Sequence, residues 1–154
     1  QLSATSAALA VLKQEMQSLS SQLPEYPVVM DMFGVGPTLG PQLIAEIGDV
    51  RRFYSKKALV AYAGIDAPPN DSGDVIGRHK SRSKVGASSL RRTLFLVMSV
   101  YLQNSPPNEP IYQFMNRKRA EGKPYRVYMM ASANKFLRIY YATVKAYLEI
   151  LEQI

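Results

Sequence analysis

The stretch Val28-Val29-Met30-Asp31-Met32-Phe33-Gly34-Val35-Gly36-Pro37-Thr38, running on through Leu39, Leu43, Ile44 and Ile47 to Gly48, decides the fold. It reads as a short helix, a tight glycine hairpin and a second helix. Glycine tolerates the backbone angles of a tight turn, and Pro37 suits a helix start. Leu39, Leu43, Ile44 and Ile47 recur at helical spacing and give the second helix one apolar face. Gly48 is a helix stop. Pro41 is tolerated if Thr38 is the N-cap, because the proline then falls in the first turn, where N–H groups have no helical partner. The unit is a helix-hairpin-helix, and it predicts an all-α fold.

Upstream, Leu2, Leu9, Leu12, Met16, Leu19 and Leu23 are spaced 7, 3, 4, 3 and 4. This a/d stripe predicts a helix over residues 1–23, either a coiled-coil seam or a helix packed on the domain. Pro24 and Pro27 are expected to end it. The chain starts mid-heptad without Met, which leads to the expectation that more protein lies upstream. Downstream, Ser55 is placed to cap a helix carrying Ala58, Leu59, Tyr62 and Ala63 and stopping at Gly64. Residues 65–86 hold Pro68, Pro69, Asn70, Asp71, Gly73, Gly77 and Gly86, and predict a long loop or short hairpin. From Ser88 a helical face returns with Leu90, Leu94, Val97, Met98, Tyr101 and Leu102, broken at Ser105-Pro106-Pro107. A polar helix over 108–121 and a long tyrosine-rich helix from about Tyr125 to Gln153 complete six or seven helices.

The 154 residues carry a formal net charge of +7, with no Cys and one His, His79. No Cys excludes disulfides, cysteine zinc sites and a thiol nucleophile. A single His argues against a histidine-rich metal site or a His-based triad. The longest apolar run, Leu94 to Val100, is broken by Ser99 and falls far short of the ~20 residues a membrane span needs. The charge is partitioned. Residues 1–50 are net −4, residues 51–92 net +7 and residues 93–154 net +4. Arg78, Lys80, Arg82, Lys84, Arg91 and Arg92 lie within fifteen residues that contain no acid. A solvated charged face mixes signs, so this cluster points to a polyanion, nucleic acid first. Arg91 and Arg92 open a helix, the wrong end for cations in its dipole, which implies another duty.

Three groups of residues bear on chemistry. The N–H groups of the Gly34-Val35-Gly36 hairpin, with the positive end of the helix after Thr38, suit a DNA phosphate. A plain helix–helix turn is the alternative. Ser72, in Asp71-Ser72-Gly73-Asp74, is on composition alone a turn former. As a nucleophile it would need the nearby Arg and Lys side chains to neutralise a phosphorane. Glu46, Asp49, Asp66, Asp71 and Asp74 share no helical face beyond the Glu46/Asp49 pair, so no metal site is assigned to them. His79 among cations reads as a phosphate or solvent contact. The tyrosines of the last helix read as core and interface rather than nucleophiles.

The run Phe33-Gly34-Val35-Gly36-Pro37, Leu43-Ile44-Ala45-Glu46-Ile47-Gly48-Asp49, Arg52-Phe53 and Ala58-Leu59-Val60-Ala61-Tyr62-Ala63-Gly64-Ile65 resembles the C-terminal domain of the insertion-sequence 110/116/902 transposases. Asp71-Ser72-Gly73, Ser83-Lys84-Val85-Gly86, Leu90-Arg91-Arg92, Gly122-Lys123-Pro124 and Lys135-Phe136-Leu137-Arg138 continue the resemblance in order, over about residues 28–145. It differs at Ala87, where a polar cap is usual and Ser88 or Ser89 would substitute, at Pro41, and in the acids Asp71 and Asp74 beside Ser72. The resemblance implies a site-specific DNA recombinase. Such a protein has an N-terminal domain with four acidic residues that hold a divalent metal (magnesium), a coiled-coil region, and this domain with a serine nucleophile, which falls on Ser72. It also implies a structured guide RNA, a composite site made by two protomers, and a prokaryotic cytoplasmic, nucleoid-associated protein.

The expected division is residues 1–24 as the end of a coiled-coil region and 25–154 as the transposase C-terminal helical domain. DNA contacts are expected from Gly34, Gly36, Thr38, Arg78, Lys80, Arg82, Lys84, Arg91 and Arg92, with no cofactor in this chain. Homo-oligomerisation is expected through residues 1–23 and the last helix. Two other readings share the composition: a non-catalytic DNA- or RNA-binding module, and an oligomerisation domain.

Overall fold

The computed structural model describes residues 1–66 and 87–154. Among these the chain forms seven α-helices and one 3₁₀ turn. They are α1 (Leu2–Ser20), α2 (Tyr26–Met30), α3 (Leu39–Ile47), the 3₁₀ turn Val50–Arg52, α4 (Lys56–Ala63), α5 (Ser88–Asn104), α6 (Pro110–Ala120) and α7 (Tyr125–Glu152). The fold is all-α, with no strand among the described residues. From residue 67 to residue 86 the expected loop or hairpin lies outside the described residues.

Several helix ends follow from local chemistry. Ser55 Oγ accepts the Ala58 N–H at 3.1 Å and starts α4. Gly64 ends it in the left-handed region, at φ 71° and ψ 27°. The last carbonyl of α3, Ile47 O, accepts from Arg52 Nε at 2.8 Å. The Arg52 guanidinium also lies 4.3 Å from the Phe53 ring centroid and 4.9 Å from that of Tyr62.

Other ends depart from the sequence reading. α1 stops at Ser20, short of Pro24, and Pro27 sits in the first turn of α2 rather than ending α1. There its missing N–H costs no bond. α2 stops at Met30, so Met32 and Phe33 belong to the turn. The Phe33 ring packs on Tyr101 with centroids 4.9 Å apart, and this contact takes the place of another helical turn. Thr38 is the N-cap of α3, with Pro41 in the first turn, but its side chain makes no capping hydrogen bond. Its backbone is already helical, at φ −98° and ψ −48°, away from the extended form in which a cap side chain reaches the N–H groups ahead. Ala87 is the N-cap of α5, and neither Ser88 nor Ser89 substitutes for a cap.

The core is organised on α7, whose 28 residues span about 42 Å at 1.5 Å per residue. Met129, Ala133, Phe136, Leu137, Tyr140, Val144 and Leu148 form its buried stripe at helical spacing. It packs against α2, α4, α5, α6 and the 3₁₀ turn. α5 supplies Leu90, Leu94, Val97, Met98 and Tyr101 to the same cluster and packs on α3. Each fully buried Leu, Phe or Met contributes about 1.5–3 kcal/mol. Tyr140 and Tyr141 are core residues. Tyr141 Oη donates to Phe53 O at 2.9 Å and ties α7 to the 3₁₀ turn. The Tyr140 hydroxyl is buried without a partner among the described residues, and burial pushes its pKa up.

α1 behaves differently. Residues 1–15 are exposed on every side, and only the last turns touch the domain. Ser20 is buried there, and Gln17 Nε2 donates to Pro37 O at 2.7 Å.

Candidate nucleic-acid interface

The hairpin between α2 and α3 is shaped by one glycine. Gly34 has φ +83°, and a Cβ there would lie 2.9 Å from Tyr101 Cε2 and 3.2 Å from Val97 Cγ1. Only glycine meets both demands. Gly36 is different: its φ is ordinary and a Cβ would meet nothing within 4 Å. Val35 is buried between them. A third glycine, Gly40, was not singled out from the sequence. A Cβ there would lie 2.4 Å from Met30 Sδ, so Gly40 sets how closely α3 approaches α2.

The backbone N–H groups of Gly34, Gly36 and Thr38 donate to no carbonyl among the described residues. They border an open concavity of about 460 Å³, lined also by Phe33, Pro37, Val100 and Asn104. Thr38 flanks the start of α3, and unpaired N–H groups in a turn that leads into a helix form an environment for an anionic oxygen. Gln17 occupies the Pro37 carbonyl, which couples the end of α1 to the hairpin.

The described residues on either side of segment 67–86 are held by the helices. Arg91 Nη1 donates to Ala63 O at 3.4 Å, one turn before the segment begins. Asn134 Nδ2 donates to Ile65 O at 3.3 Å, and Arg138 Nε donates to Asn134 Oδ1 at 2.7 Å. At the other end Ala87 is buried, and its carbonyl accepts the Arg91 N–H at 3.0 Å. Arg91 thus sits at both junctions. A guanidinium against the last carbonyls of α4 is favourable for that helix dipole, which accounts for a cation in the first turn of α5. Arg92, beside it, is exposed. Asn134 and Arg138 were not assigned this role from the sequence. The signal available was an i, i+4 polar pair within the tyrosine-rich helix.

The hairpin and the Arg91/Arg92 turn do not form one pocket. The hairpin packs near Val97, Val100 and Asn104, while the arginines open the same helix. At 1.5 Å per residue the two lie about 10–20 Å apart along α5. Ser72, Arg78, His79, Lys80, Arg82 and Lys84 lie outside the described residues.

Two of the carboxylates weighed for a metal site, Glu46 and Asp49, have structural partners. Glu46 Oε1 accepts from Thr93 Oγ1 at 2.7 Å, tying α3 to α5. Asp49 caps the 3₁₀ turn by accepting from the Arg51 backbone N–H at 2.9 Å. It also pairs with the Arg51 guanidinium, which in turn meets Glu152. The hydrogen bond from the Arg51 side chain holds the Asp49 carboxyl below the usual carboxylate range. Among the described residues no three acidic or histidine side chains gather to hold a metal ion. No helix among them is long and apolar enough to cross a membrane.

Residues 26–113, from the start of α2 into α6, match the family described as Transposase IS116/IS110/IS902. The chain belongs to this transposase family. The match takes in the hairpin, α4, segment 67–86 and the Arg91/Arg92 turn. Among individual relatives, a 42 kDa protein of insertion element IS900 from Mycobacterium paratuberculosis is 30% identical over 77% of this chain and 29% of its own length. The pilin gene-inverting protein of Moraxella bovis is 32% identical over 73% of this chain and 34% of its own. Its counterpart in Moraxella lacunata matches to the same extent. This transposase-family chain therefore spans about a third of the length of the curated relatives it matches.

Proposed function

We propose that this chain is the C-terminal domain of a transposase that grips DNA through its phosphates and supplies Ser72 as the nucleophile for strand cleavage and transfer. The family match over residues 26–113 carries the reading, because its span takes in the hairpin, the Asp71-Ser72-Gly73 motif and Leu90-Arg91-Arg92. The unpaired N–H groups of the hairpin support phosphate binding at one end of α5, and the exposed Arg92 supports it at the other. Their separation suits two contacts along one duplex backbone, which carry no sequence information. In the step proposed, Ser72 Oγ bonds to the scissile phosphorus as a strand P–O bond breaks. The serine proton passes to a base, and the departing strand oxygen leaves as a hydroxyl. The acidic residues that hold a divalent metal belong, on the family resemblance, to a separate N-terminal domain, and a structured RNA directs the choice of site. This chain by itself is then a binding unit without cleavage activity.

Duplex binding tests the phosphate grip. Each phosphate neutralised contributes a log–log salt slope of about −0.9. The expected slope between low and physiological salt is steeper than about −3, and Arg92→Ala should make it shallower by about 0.9. An affinity independent of salt would remove the electrostatic basis of the proposal.

A specific observation also favours self-association. Leu2 is 87% exposed and Leu12 61%, within residues 1–15, all of them exposed. A free helix of about 15 residues is marginal in water, so the a/d stripe is read as one strand of a coiled coil with a second copy. The exposed Ile150, Leu151 and Ile154 at the end of α7 add apolar surface. Light scattering across a concentration series should show a mass that rises toward a dimer. Leu12→Asp should hold it at the monomer without lowering the melting temperature of the domain, and a concentration-independent monomer in the parent chain would refute the pairing.

A further inference from the structure

The turn joining α6 to α7 gathers a second basic surface that the functional reading above does not use. From Phe114 to Arg138 the chain carries seven Lys or Arg residues and one acid, Glu121. Folding places four of them beside aromatic rings. Arg117, Lys118 and Lys135 lie 5.7, 5.6 and 5.1 Å from the centroid of the Phe114 ring. Arg119 lies 5.8 Å from that of Tyr128. Tyr125 meets Tyr128 edge to face at 5.6 Å and keeps 51% of its surface in solvent.

Helix stability does not account for this arrangement. Cations in the last turn of α6 favour its dipole, but Lys123 and Arg126 flank the start of α7, where cations are unfavourable. Three cations around one ring repel one another, and Glu121, 3.4 Å from Lys118, offsets only part of that. Such a surface is relieved by a polyanion. The exposed tyrosine narrows the choice. Its ring is held by Tyr128, and a flat aromatic surface beside cations stacks a nucleobase while the cations hold the adjoining phosphates. Bases inside a duplex have their faces covered, so the partner that uses both features has unpaired bases.

We infer that Tyr125, Tyr128 and the cations Arg117, Lys118, Arg119, Arg126 and Lys135 form a binding surface for a single-stranded nucleic-acid segment, separate from the duplex grip at the hairpin. The inference rests on α6 and α7 alone and stands whether or not the hairpin binds duplex.

The test is fluorescence anisotropy of the whole chain with labelled oligo(dT), oligo(U) and a mixed-sequence duplex, the single strands of about 15 nucleotides. Tyr125→Ala should weaken single-strand binding about tenfold, with Tyr125→Phe close to the parent. The Arg119→Ala, Arg126→Ala pair should make the single-strand salt slope shallower by about 1.4. Tyr125 is exposed in the first turn of α7, so its variants should melt with the parent chain. The larger loss, on oligo(dT) or on oligo(U), identifies the strand as DNA or RNA, and either supports the inference. Unchanged single-strand binding in Tyr125→Ala overturns it, as does an equal loss on duplex. Arg92→Ala in parallel separates the two surfaces: its effect belongs to duplex, so each proposal is able to fail without the other.

Discussion

Ser72→Ala in the full-length protein is expected to lower strand cleavage by about 10⁴-fold or more, the usual consequence of deleting a covalent nucleophile. DNA affinity is expected to stay within about twofold, since one hydroxyl adds little beside several phosphate contacts. The parent protein should leave a cleaved strand covalently attached, retarded on a denaturing gel and released by protease. The variant should leave none. The separation of cleavage from binding distinguishes the nucleophile from a turn-forming serine, whose loss would disturb both or neither. Normal excision by Ser72→Ala would end the assignment, and so would a covalent link that maps to another residue. Asp71 and Asp74 flank the hydroxyl in sequence. Two carboxylates beside a phosphate-attacking oxygen repel DNA unless a cation or a metal offsets them, so Asp71→Asn with Asp74→Asn is an informative companion to the serine variant.

The second large effect concerns stability. Gly34→Val is expected to destabilise the domain by about 3–5 kcal/mol. A β-branched residue at positive φ costs about 1–3 kcal/mol, and forcing a side chain into the space of Tyr101 and Val97 costs about as much again. For a chain of this size that is a fall in melting temperature of roughly 6–20 °C. Gly36→Ala, two residues on, should change stability by less than about 1 kcal/mol and in the stabilising direction, because its backbone and surroundings admit a Cβ. Thermal unfolding of the two variants checks both. Equal effects would show that the hairpin glycines serve one purpose, against the geometry described above. If Gly36→Ala keeps its stability yet weakens duplex binding, the Gly36 position approaches the DNA closely; if binding is also unchanged, the DNA does not approach the face of Gly36 where a Cβ would stand.

The helix boundaries were legible where the determinant lies within a turn or so of the boundary. Ser55 and Gly64 bracket α4, Gly48 stops α3, Ser105 ends α5 and Tyr125 opens α7, all as their residue types indicate. The errors share a different origin. α2 ends early because Phe33 turns to meet Tyr101, 68 positions away in the chain. Thr38 makes no capping hydrogen bond because its backbone is already helical. Arg91, by contrast, is expected from the sequence to have a duty outside its own helix dipole, and the carbonyl it faces belongs to another helix. Of the candidate site, the hairpin and the Arg91/Arg92 turn are placed by the fold, while Ser72 and the four cations of 78–84 rest on motif order.

The sequence by itself determined the all-α class, most of the helix ends and the family, because caps, periodicity and motif order are written in residues a few positions apart. Tertiary structure decided which hairpin glycine is irreplaceable and that the hairpin and the Arg91/Arg92 turn lie apart along α5. It also left α1 outside the core, and it brought Phe114 within reach of Lys135 and Tyr125 against Tyr128. These depend on which surfaces α5 and α7 present to their neighbours. A residue's type sets what it is able to bind, but only packing sets what stands beside it.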